Sequence, residues 1–133
     1  MYLLDTSVVS ELRKPRPNPK VVAWIQDAED PDLHLAAVTI GEIQARIEMT
    51  RTQSPTKAEE LEAWAGQVAD SYNVLAMDAA CFRRWAKLMH RQSSTVYEDA
   101  MIAATALVHH LTVVTRNVRD FSRFEVPVLN PFE

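Results

Sequence analysis

Five side chains that end in oxygen hold comparable places along the 133 residues of this sequence. Asp5 closes the apolar run Met1-Tyr2-Leu3-Leu4 and is followed by two hydroxyl residues, Thr6 and Ser7. Glu42 comes just after the apolar run Leu33–Val38, and Asp99 opens the stretch Ala100–Val108, which is apolar almost throughout. Asn117 and Asp120 follow the β-branched run Leu111–Thr115. Carboxylates gathered without histidine or thiol partners repel one another, so the group is unstable unless a cation neutralises it. Hard divalent cations such as Mg²⁺ and Mn²⁺ accept oxygen ligands and keep several waters. A cation so held polarises a phosphodiester, activates a water and stabilises the leaving oxygen.

Each of these residues also has a structural role open to it. Asp5 can cap the first helix, as can Thr6 or Ser7. Thr39-x-x-Glu42 and Thr95-x-x-Glu98 both match a capping box, and Glu98 is read as structural on that ground. Asp78 is read as the N-cap of its helix, and Asn117 and Asp120 can serve as Asx-turn residues. Asp99 can complement a helix dipole. Yet a carboxylate on a helix otherwise apolar all round is costly unless something pairs with it, and no Lys or Arg follows within that helix. The conjunction, not any single residue, points to a metal site.

Composition narrows the alternatives. Two glycines cannot build a phosphate loop or a dinucleotide turn, each of which needs several at fixed offsets. Four histidines without HExxH spacing and one cysteine, Cys81, supply neither zinc signature. A lone cysteine suits a reducing compartment, no leader pattern is visible and no run reaches the length of a membrane span, so a cytoplasmic protein without membrane contact is expected. The net charge of −4 argues against general coating of nucleic acid, although basic residues gather at Arg13–Arg16, at Arg83, Arg84, Lys87 and Arg91, and at Arg116, Arg119 and Arg123. A solvated face is the default reading of each cluster.

The elements that must position the acids alternate. Strands are expected at residues 2–4, 33–38, 74–77, 111–115 and 126–129. Helices are expected from Val8, over 20–25, from Thr39 through Met49, after the N-cap and N1 pair Ser54-Pro55, after Asp78 and from Glu98 to Val108, with residues 116–121 as a polar turn. Strands separated by helices imply right-handed crossovers, a mainly parallel sheet of four to five strands and an α/β/α arrangement in a single domain over 1–133. Ligands of such sheets bind at the carboxyl ends of the strands, with Asp5 at the end of a central one.

The segments Leu3-Leu4-Asp5-Thr6-Ser7-Val8-Val9-Ser10-Glu11, Ala37–Glu42, Glu98–Ala106 and Val114–Phe121 together resemble the PIN-domain nucleases, in particular the VapC/FitB-type toxins of toxin–antitoxin pairs. The resemblance covers essentially the whole chain. It implies a three-layer α/β/α PIN domain and a Mg²⁺- or Mn²⁺-dependent ribonuclease. Asp5, Glu42 and Asp99 match the family's characteristic acidic positions and would bind the metal. Asn117 stands where some relatives carry aspartate, and Asn117 and Asp120 would complete the site. Thr6 and Thr115 would orient carboxylates or solvent where substrate binds. Arg116, Arg13 and Arg119 would contact substrate phosphates. The resemblance further implies a homodimer, silencing by a cognate VapB-like antitoxin whose C-terminal segment fills the groove, and contact with operator DNA only through that antitoxin.

Two other readings stand beside this one. The first is a PIN scaffold with a degraded site that acts by binding RNA or antitoxin. The second is a phospho-acceptor receiver domain with Asp5 and Asp78 as its acidic pair, which would want a lysine after a late strand where Arg116 and Asn117 stand. A D-x-D phosphatase fails, because Ser7 occupies the second aspartate position.

Overall fold

The computed structural model describes all 133 residues. Its order is β1 (Tyr2–Leu4), α1 (Thr6–Arg13), α2 (Pro19–Asp27), β2 (Leu33–Ala36), α3 (Ala37–Arg51), α4 (Pro55–Ser71), β3 (Asn73–Leu75), α5 (Ala79–Met89), α6 (Tyr97–Val108), β4 (Thr112–Val114), α7 (Val118–Ser122) and β5 (Val128–Leu129). The strands form one sheet in the order β3-β2-β1-β4-β5, and every pairing is parallel. The expected central place of the first strand is found, as is the α/β/α layering.

The pleat sorts the core. Leu3, Ala36 and Val113 face a cluster shared with α6 and α7, whereas Leu4, Leu35 and Val114 face a cluster shared with α1, α2, α3 and α4. Alternation of this kind, with both faces covered, is what turns short strands into continuous apolar runs. α6 is the most enclosed helix: Ala100, Ile102, Ala103, Ala104, Thr105 and Ala106 are all sealed from solvent. Its alanines let the helix lie close to the sheet, which fixes where its first turn falls.

Several boundaries differ from expectation. α3 begins at Ala37, so β2 is shorter than the apolar run suggests and Thr39 lies inside the helix. α1 begins at Thr6 with Asp5 at the N-cap position, so neither Thr6 nor Ser7 is the cap, and no side chain caps the helix. Residues 118–122 form α7 rather than a turn. β5 is only two residues long, because Pro127 has no N–H for the ladder, although its carbonyl still accepts from Val113 at 2.9 Å. The caps at Ser54 and Asp78 are as expected, accepting from the amides of Lys57 and Cys81. His34 lies in β2 as a strand residue, its Nδ1 buried without a partner. No helix is long and apolar enough to cross a membrane.

Candidate active site

β1 delivers Asp5 to the carboxyl edge of the sheet, where its amide donates to Val114 O (2.9 Å) and extends the pairing with β4. Asp5 is only 5% exposed. Its Oδ2 accepts from Ser7 Oγ at 2.9 Å and from Thr115 Oγ1 at 2.8 Å, so two hydroxyls fix the carboxylate plane. Oδ1 accepts from nothing in the chain and is not sealed from solvent. The Thr115 hydroxyl also accepts from the Asn117 amide (2.9 Å), and the Ser7 hydroxyl accepts from the Arg116 amide (3.3 Å). The turn after β4 is thereby tied to Asp5.

Glu42 enters from the second turn of α3. The Thr6 hydroxyl donates to its Oε1 at 3.1 Å and lies 3.2 Å from the buried Thr39 hydroxyl. Both threonines named in the sequence, Thr6 and Thr115, are therefore buried and bonded to carboxylates. The capping box proposed for Thr39 and Glu42 is absent: the helix has already started, and Glu42 turns toward Asp5 instead of back to an amide.

Asp99 comes from the first turn of α6, half-buried. Burial, first, and then the charges of Asp5, Asp120 and Glu98 raise its carboxyl to about 6, against a smaller opposing effect of Arg123. Glu42 is raised to about 7 by burial, the Glu98 charge and Asp5, with the Thr6 hydroxyl working the other way. Asp5 and Glu98 are neighbours of both. Asp120, from α7, is half-buried and close to Asp99, whereas the Asn117 side chain is exposed and bonds to nothing in the chain.

Glu98 was missed as a site residue. Its expected capping box does not form, since Thr95 lies in a 3₁₀ turn and α6 has no side-chain cap. Glu98 instead faces Glu42. The available signal was the pair Glu98-Asp99, two acids in one first turn with no cation after them.

None of these acids forms an ion pair with a lysine or arginine; the ion pairs of the chain lie at Glu11, Glu48 and Glu62. Nor do three acidic, histidine or cysteine side chains converge tightly enough to form a preassembled cage. The acids are neighbours that repel rather than ligands already closed on a point. Their donor set suits a hard cation: all oxygen, with one oxygen of Asp5 oriented by hydroxyls and the other left free.

Arg116 stands at the rim. Its guanidinium lies 3.5 Å from the buried Glu11 and 3.9 Å from the centre of the Phe132 ring. Glu11 also binds Lys14 (2.9 Å) and the Asn18 amide (2.9 Å). Arg116 is thus anchored, with half of its side chain exposed. Arg13 lies over the Trp64 ring at 5.8 Å, and Arg119 is exposed.

The family model described as PIN domain matches residues 2–127. Toxin FitB of Neisseria gonorrhoeae is 34% identical over 139 aligned positions that cover 99% of both chains. VapC ribonuclease Y4jK of Sinorhizobium fredii is 33% identical, with all of this chain and 99% of that one covered. Among solved structures, FitAcB from Neisseria gonorrhoeae superposes with a TM-score of 0.87 at 31% identity, covering 100% of this chain and 99% of that one. Fold, edge carboxylates and these likenesses agree, and the chain belongs to the PIN domain family.

Proposed function

We propose that the protein is a ribonuclease that works with a divalent cation, Mg²⁺ or Mn²⁺, and is the toxin half of a toxin–antitoxin pair. One observation carries the reading. Carboxylates from β1, α3, α6 and α7 are neighbours at one edge of the sheet without an ion pair to any of them, Arg123 only partly offsetting the charge at Asp99, and two are pushed well above the ordinary carboxylate range. The names of the FitB and VapC relatives support the substrate and the pairing.

In this reading Asp5, Glu42 and Asp99 hold the cation, and Asp120 closes the ring beside Asp99. Once bound, the cation offsets the charge of the acids and that which develops on the phosphodiester. Asp5 is held in one orientation by Ser7 and Thr115, so its free oxygen needs no reorganisation on binding. Glu42, whose Oε1 is held by the Thr6 hydroxyl, is the group placed to take the proton of an attacking water as an oxygen–phosphorus bond forms. The proton ends on the ribose oxygen as the old bond breaks. Asn117, free of internal bonds, is left to orient water, and the exposed half of Arg116 to meet a phosphate. Silencing follows if an antitoxin segment covers this edge; the active form is a homodimer, and operator DNA is met only through the antitoxin.

A second reading, a PIN scaffold without catalysis, draws on the loose spacing of the acids. A fluorophore-quenched RNA given to antitoxin-free protein with Mg²⁺, Mn²⁺ or EDTA, beside Asp99→Asn, separates the two. Cleavage that needs the metal and vanishes in the variant supports the nuclease. Folded protein that neither binds metal nor cleaves supports the scaffold.

A further inference from the structure

α5 carries cations that nothing in the site explains. Arg83, Arg84 and Lys87 are exposed and fall at helical spacing on one face, and together with Ala80, Leu107 and His110 they line a cleft of ≈ 390 Å³. None of the three forms an ion pair. Like charges at Arg83 and Lys87, one turn apart, disfavour the helix, so the stripe has a local cost without an internal return. The acid at that end, Asp78, is committed to the Cys81 amide and lies beside His109.

The direction of the stripe gives it a use. α5 and α6 run antiparallel: Asp78, before α5, lies beside His109, after α6, while Trp85 Nε1 donates to Tyr97 O at 3.0 Å. Passing from Arg83 to Lys87 therefore runs in the direction of the first turn of α6, where Asp99 stands, while the cleft the three share lies at the other end of α6, against Leu107, Val108 and His110. Arg91, exposed and held at φ 67°, continues the series beyond the helix. A chain of negative net charge that lays bare unpaired cations on one helix face, a helix length from its acidic site, fits a polyanion long enough to span both better than a second protein.

We propose that the Arg83–Arg84–Lys87 face of α5 binds the phosphate backbone of the RNA strand whose scissile linkage lies at the carboxylates. The inference rests on the ribonuclease reading for the identity of the polyanion. It accounts for how a strongly acidic site holds an acidic substrate: the affinity is supplied at a distance, by counterion release along α5.

The test measures binding alone, in an Asp99→Asn background that does not cut. Fluorescence anisotropy of a long single-stranded RNA is followed across a KCl series. The comparison is with the added triple change Arg83→Gln, Arg84→Gln, Lys87→Gln, and with Arg83→Lys, Arg84→Lys. Three lost phosphate contacts make the log–log salt slope shallower by about 2 and weaken low-salt affinity about tenfold or more, while the lysine variant keeps the parent slope. Parent slope and affinity in the glutamine variant would overturn the proposal. An equal loss on duplex DNA of the same length would overturn its assignment to RNA. The shallower slope stands as support for the contact whether or not metal-dependent cleavage is found, so failure here and failure of the nuclease reading are separate results.

Discussion

Two carboxylates stand at the two ends of α1 and are equally hidden: Asp5 and Glu11 are each 5% exposed. Their surroundings are opposite. Glu11 is met by Lys14, the Asn18 amide and Arg116, and its carboxyl is held below the ordinary range, first by the Lys14 bond. Asp5 is met by hydroxyls on one oxygen, and its other neighbours include the charges of Glu42 and Asp99. Glu11 is balanced by cations within the chain, whereas Asp5 has hydroxyls and other acids for neighbours. Burial alone would not have told the two apart, and the sign of what surrounds each does.

That contrast can be broken at several points. The largest effect is expected at Asp99→Asn, which removes charge from the acidic ring: RNA cleavage falls about a thousandfold, the equivalent of several kcal/mol of lost charge stabilisation, and the fold is kept. A rate within a fewfold of the parent would show the ring to be inert. Glu11→Gln should do the reverse, lowering the thermal midpoint by leaving Lys14 and Arg116 without their shared partner while sparing metal affinity. The check is a melt beside a metal titration. Thr115→Val takes one hydroxyl from Asp5 without altering charge, so metal affinity drops about tenfold and stability by about 1 kcal/mol.

The smallest effect concerns pH. Glu42 and Asp99 have folded-state values above their unfolded ones, so ionising them opposes folding; the penalty is absent below the ordinary carboxylate range and complete above about 7. Metal-free protein should therefore lose stability between about pH 4 and 7, by on the order of 1 kcal/mol per group once solvent screening is discounted. Glu42→Gln removes its share. Glu11 contributes in the opposite sense, its stabilisation being lost as pH falls.

Much of the fold was legible because periodicity and turn chemistry are local. The buried strands, the apolar all-round α6 and the caps at Ser54 and Asp78 could each be read from a few neighbouring residues. The start of α3 was misplaced because Thr39 carries a capping signature, and tertiary contact with Thr6 overrides it. The same signature at Thr95 concealed Glu98. The tie between Glu11 and Arg116, far apart in sequence, leaves no local mark at all. Position at an edge is a topological fact that strand order predicts; compensation of charge is a spatial one, visible only when the surroundings of each acid are known.

The most direct test of the central claim is a calorimetric titration of Mn²⁺ into metal-free protein, Asp5→Asn and Glu11→Gln. Saturable binding that weakens at least about tenfold in Asp5→Asn and is unchanged in Glu11→Gln is the expected result. Equal affinity in the parent and Asp5→Asn, or no binding to either, would contradict it.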